Sequence, residues 1–106
     1  MKNVRGSKNV YADLGMSDAD EMLIKAQLAT KIGEIIKQRK MTQTKAAAAL
    51  GITQPKLSDM LRGRFRGISE TKMLECLVRF GRDIEICVKP APKRRTTGHV
   101  TVVFAG

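Results

Sequence analysis

The sequence predicts a mainly α fold, a small helical bundle followed by a short C-terminal β-hairpin or dimer-forming strands. Three observations carry that reading. Apolar residues recur near helical spacing from Met22 to Phe80, in runs opened by Ser or Thr, the last three of them closed by Gly. After Gly81 the apolar period changes to two. With 42% hydrophobic residues but only one Tyr, three Phe and no Trp, the core must be aliphatic, Met and Ala, as suits a small bundle. At 106 residues the chain has room for one such core.

Residues 1–16 read as a basic N-terminal arm. Lys2, Arg5 and Lys8 stand in a stretch of little apolar content, either a tail reaching phosphates or a groove, or a frayed terminus. Val10, Tyr11 and Leu14 are close enough to anchor its end on the bundle. The bundle itself is assigned to residues 17–81. Ser17 is placed to cap a long first helix, where Asp18, Asp20 and Glu21 complement the positive end of the helix dipole. Met22, Leu23, Leu28, Ile32, Ile35 and Ile36 supply its apolar stripe, and Lys37, Arg39 and Lys40 close it. Gly33, which costs about 1 kcal/mol relative to Ala in mid-helix, marks either close helix packing or a bend. Most of the acid of this third lies between Asp13 and Glu21, so that end is expected to face away from a polyanion.

The stretch from Thr42 to Gly63, TQTKAAAALGITQPKLSDMLRG, reads as two short helices around a tight turn. Thr42 caps the first, and four alanines favour it while letting another helix approach closely. Gly51 supplies the left-handed residue that ends it. Thr53 caps the second, Ile52 is placed to staple onto Leu57, and Pro55 falls in the first turn, where its missing N–H is not needed. Ala46, Ala47, Leu50, Ile52, Leu57, Met60 and Leu61 form the buried side. Gln54, Lys56, Ser58, Asp59 and Arg62 remain outward. A capped second helix with a polar outer face, beside a basic loop, is the geometry of a helix-turn-helix set in a DNA major groove.

Beyond Gly63, Arg64 and Arg66 flank Phe65, read as an anchor that pins the loop. Ser69 opens a further helix, with Ile68 stapling onto Met73 and with Met73, Cys76, Leu77 and Phe80 as its stripe, ended by Gly81. Residues 82–106 are assigned to strands for dimerisation. Ile84, Ile86 and Val88 alternate with Glu85, Cys87 and Lys89, and a second strand runs from His99 to Ala105. Pro90 to Gly98 is the loop between them, with Lys93, Arg94 and Arg95 as a solvated face. Whether the two strands pair within one chain or between subunits is open.

Twenty Lys and Arg against ten Asp and Glu, a formal charge of +10, call for a polyanionic partner. Double-stranded DNA fits, and a membrane does not, for want of a basic amphipathic helix with aromatic anchors. No apolar run reaches the length of a membrane span or signal-peptide core, so the chain is expected to be cytoplasmic and nucleoid-associated. Cys76 and Cys87 lack metal or redox spacing and read as buried free thiols. The single histidine, His99, reads as a surface residue. No catalytic constellation, metal site or cofactor is implied.

The pattern TQ…A…LGITQP…LS…LRG resembles the XRE family of helix-turn-helix regulators, the Cro and phage-repressor type, over about two dozen residues. Across residues 9–88 the chain more narrowly resembles HigA-like antitoxins of RelE-type toxin systems. That likeness rests on NVYADLG at Asn9 to Gly15, KAQLA at Lys25 to Ala29 and LRGRFRGIS at Leu61 to Ser69. The helix-turn-helix motif points to a homodimeric repressor that reads base edges with Gln54, Lys56, Ser58 and Asp59 and holds phosphates with Thr42, Gln43, Arg62, Arg64 and Arg66. Gln43 and Gln54 match glutamines that many members use; Pro55 and Lys56 fall where the family varies, so no operator follows. The resemblance to HigA-like antitoxins implies a RelE-like toxin as a partner, with the regulator repressing its own operon. A free-standing repressor, or a module that mainly neutralises a toxin, are the alternatives.

Overall fold

The structure is a computed structural model that describes residues 18–105. The expected Ser17 cap and the Val10, Tyr11 and Leu14 anchor lie outside the described residues. Four helices follow in order: α1 (Asp18–Gln38), α2 (Gln43–Leu50), α3 (Gln54–Leu61) and α4 (Glu70–Arg79). Three of them start as their sequences require. The hydroxyls of Thr42, Thr53 and Ser69 accept from the backbone N–H groups of Lys45, Lys56 and Lys72 at 3.1, 3.2 and 3.1 Å.

All four helices also end alike, on a residue with positive φ: Lys40, Gly51, Gly63 and Gly81. At the end of α2, Gly51 has φ 72°, and the next N–H, from Ile52, returns to the Ala47 carbonyl at 3.1 Å. At the end of α1 the position is held by Lys40 at φ 54°, with Met41 N–H returning to Ile36 O at 3.1 Å. A lysine there carries steric strain that glycine would not.

The core is a single cluster. Leu28, Ile32 and Ile35 of α1 meet Leu50, Leu57, Met60, Met73 and Cys76, all essentially without solvent contact. Helix α1 packs on α3 and α4, and α2 on the same two. The buried face of α1 runs through Glu21, Ile24, Lys25, Leu28, Ala29, Ile32, Ile35 and Ile36. Leu23, expected in that stripe, is 58% exposed, because Ile24 rather than Leu23 lies in phase with Leu28 and Ile32. Gly33 marks close packing, since a Cβ there would stand 3.3 Å from Leu61 Cδ2. Arg39 joins the far ends of α1 and α4: its Nη2 donates to Phe80 O at 2.6 Å, and its guanidinium lies over the Phe80 ring.

The C-terminal segment departs from expectation. Among the described residues there is no strand, so the β-hairpin predicted from residues 83–89 and 99–105 is absent. A strand persists only where a neighbour takes its N–H and C=O groups, and the nine-residue Pro-containing link from Pro90 to Gly98 is long for a hairpin. That link turns locally through Arg95 N–H to Pro92 O at 3.0 Å. Val102 instead packs on the helical core, and the Lys31 ammonium lies over Phe104. Cys87, predicted to be buried, is exposed; Cys76 is buried as expected. His99 is exposed, as its position suggested.

Candidate nucleic-acid interface

Helices α2 and α3, with the three residues from Gly51 to Thr53 between them, form a helix-turn-helix unit. The turn is close because Gly51 takes the left-handed conformation and Thr53 starts α3 at once. Leu57 and Met60 bury one side of α3, which leaves Gln54, Lys56 and Asp59 exposed and Ser58 half-buried.

Gln43 and Gln54, the first residues of α2 and α3, meet. Gln54 Nε2 donates to Gln43 Oε1 at 2.9 Å in an exposed contact. This leaves Gln54 with one N–H and its carbonyl oxygen, and Gln43 with its whole amide NH2 group. Thr42, expected to face phosphate, already spends its hydroxyl oxygen on the α2 cap, though its O–H is still a donor.

The basic loop after α3 is shaped by what lies beneath it. Arg62 and Arg64 are exposed, and the Arg64 N–H donates to Asp59 O at 2.8 Å. Phe65 is buried and anchors the loop, as expected. Lys25 was not singled out in the sequence, yet it is 3% exposed and its Nζ donates to Arg66 O at 3.0 Å and Phe65 O at 3.3 Å. The Glu21 carboxylate stands 3.3 Å from the same ammonium. Glu21 and Lys25 lie four apart, in phase with Leu28 and Ile32. That spacing was the available signal: a charged pair written into an apolar stripe.

Glu70 completes this cluster. Burial pushes its carboxyl above the usual range and Glu21 adds to the rise, while its own backbone hydrogen bond and Lys25 oppose it. One of its carboxyl oxygens is buried without a hydrogen-bond partner. Arg66 differs from expectation in its partner: Nη1 pairs with both Asp18 oxygens, at 3.0 and 3.1 Å. The acidic start of α1 thus touches the basic loop rather than standing clear of it. Both side chains are largely exposed, so a phosphate can compete for Arg66 at little cost.

Among the described residues no group of His, Cys, Asp and Glu could hold a metal ion, and no helix is long and apolar enough to cross a membrane. Comparison with known families matches residues 10–89 to a helix-turn-helix domain. Two chains of solved structures match. One, described as an XRE family transcriptional regulator, is 32% identical, with a TM-score of 0.77 over 84% of this chain and 100% of that one. No curated protein matches the sequence.

Proposed function

The chain belongs to the helix-turn-helix domain family and is a transcriptional regulator of XRE type, and on that premise we propose that it is a sequence-specific repressor acting as a homodimer. The observation that carries the reading is the hydrogen bond between Gln54 and Gln43. It holds the Gln54 amide with one donor and one acceptor still free, the pair that matches N7 and N6 of adenine in the major groove. Gln43, at the N-terminus of α2, directs its free NH2 toward a backbone phosphate. Lys56, Ser58 and Asp59 offer further groups to base edges. Thr42, Arg62, Arg64 and Arg66 serve phosphates, Arg66 by exchanging Asp18 for the DNA. Two such units on a two-fold axis read half-sites ~34 Å apart, one helical turn of DNA.

The test is binding to the DNA upstream of the chain's own gene. Affinity should fall with salt along a log–log slope of magnitude about 5 or more for a dimer. Replacing Arg64 with Ala weakens all sequences alike, whereas Gln54→Ala or Lys56→Ala costs about 1–3 kcal/mol chiefly on the operator. Variants of both kinds that bind as wild type does would place the groove contact elsewhere.

The likeness of Lys25 to Ala29 and Leu61 to Ser69 to HigA-like antitoxins supports a narrower proposal, in which the regulator also neutralises a RelE-like toxin and represses the shared operon. Co-expression with the neighbouring gene product should relieve growth arrest and yield a co-purifying complex. Growth arrest that persists with the regulator in excess leaves a free-standing repressor.

A further inference from the structure

Of the eight large apolar residues exposed among the described residues, six lie in the C-terminal segment: Ile84, Ile86, Val88, Val100, Val103 and Phe104. Ile86 and Val88 are the extreme cases, at 84% and 92% exposed. The backbone groups of residues 83–89 have no backbone hydrogen-bond partner among the described residues, and in an extended strand Ile84, Ile86 and Val88 would share one side. A row of free N–H and C=O groups beside an apolar face is a template for another strand.

The sequence of that stretch, DIEICVK, states which strand. We propose that residues 83–89 of two copies of this chain pair antiparallel about a two-fold axis through Ile86, and that this ribbon is the dimer contact. The inference rests on the dimeric reading above and supplies its interface. In this register Ile86 faces its own symmetry copy, and Ile84 faces the partner's Val88 on the same side. On the other side Asp83 faces the partner's Lys89, so opposite charges meet at both ends of the ribbon. Glu85 faces the partner's Cys87.

The neighbouring registers fail on the same residues. Centring the axis on Glu85 sets two like carboxylates directly opposite. Centring it on Cys87 sets Pro90 opposite Ile84, which costs the ladder an N–H in the phase that hydrogen-bonds Ile86 to the partner's Val88. A slip of one residue in the pairing turns one strand's apolar side to the other's polar side. Two strands alone are marginal in water, and the exposed Val100, Val103 and Phe104 supply further apolar surface for the ribbon to cover.

Cross-linking reads the register directly. In a Cys87→Ser background, with Cys76 buried, Ile86→Cys should form a covalent dimer under mild oxidation, because the two thiols lie opposite each other. Ile84→Cys in the same background should not, since its copies stand four residues out of register, roughly 13 Å apart. Ile86→Lys, which sets two ammonium groups face to face, should sediment as a monomer while keeping its helical circular dichroism. Equal cross-linking at positions 84 and 86, or an Ile86→Lys protein that stays dimeric, overturns the ribbon. If the wild type still binds its upstream DNA as a dimer in that case, the regulator reading stands with its interface elsewhere. A wild-type protein that is monomeric both free and on that DNA removes the dimeric reading itself.

Discussion

The ammonium of Lys25 lies 3.0 Å from the carbonyl oxygen of Arg66, across 41 positions of sequence. It holds the arginine loop from inside the bundle, while the side chains of Arg62 and Arg64 point to solvent. A buried charge in that place is a support for the arginine loop rather than part of its exposed face.

Removing the support should cost more than removing a contact. Lys25→Met leaves the Glu21 carboxylate buried without its cation and two loop carbonyls without their donor. A loss of about 3–5 kcal/mol is expected in urea unfolding, and the double variant Glu21→Leu/Lys25→Met should recover much of it. In both variants the salt slope of DNA binding should fall by about 2, as one loop phosphate contact is lost from each protomer of the dimer. An unchanged slope would mean that the loop holds its shape without Lys25.

The two glutamines should act as a unit. Gln54→Ala is expected to cost about 1–3 kcal/mol on the operator. Gln43→Ala removes the acceptor that orients Gln54, so the double variant should lose less than the two singles combined, by about 0.5 kcal/mol or more. Anisotropy titrations of the four proteins close the cycle. Strict additivity would show that the 2.9 Å bond does not matter on DNA.

Lys40 offers a simple gain. Among the described residues it is the one helix-ending residue in the left-handed region that is not glycine. Lys40→Gly relieves the Cβ strain and should stabilise the fold by about 1 kcal/mol. The midpoint of chemical unfolding measures it, and a lower midpoint would contradict the assigned backbone.

Glu70 makes stability depend on pH in a stated direction. Its folded pKa is raised, chiefly by burial, so folding favours the neutral acid. That contribution is fully present below the unfolded value of about 4.3 and is lost as pH rises through the folded value. Glu70→Gln keeps the neutral form at every pH. Its stability relative to wild type should therefore rise between pH 4 and pH 7, in paired denaturant titrations. A gap that stays constant over this range would remove Glu70 as the titrating group.

The two thiols should separate by rate. A disulfide reagent at pH 8 is expected to modify Cys87 at once and Cys76 only as the chain unfolds, since burial both shields Cys76 and raises its pKa.

Much of the molecule was legible in the order of its residues because the signals were local. Thr42, Thr53 and Ser69 cap their helices through bonds three residues away, and Gly51, Gly63 and Gly81 end helices through bonds that return five residues or fewer. The exposed polar side of α3 follows from helical period alone. Lys40 escaped notice because a lysine in the left-handed region has no compositional mark.

What the tertiary structure decided lies in contacts that no local pattern encodes. The phase of Lys25 with Leu28 and Ile32 marks it as inward, but that it lies beneath Phe65 and Arg66 depends on α1 meeting a loop 40 residues later. That Arg66 finds Asp18, and that Gln54 finds Gln43, depends on how the helices cross. The C-terminal segment shows the same limit from the other side. Its alternating pattern specifies an extended chain with one apolar face, but a strand exists only when a second strand accepts its hydrogen bonds. Within one chain none does among the described residues, so Ile86 and Val88 stay exposed and Cys87 with them.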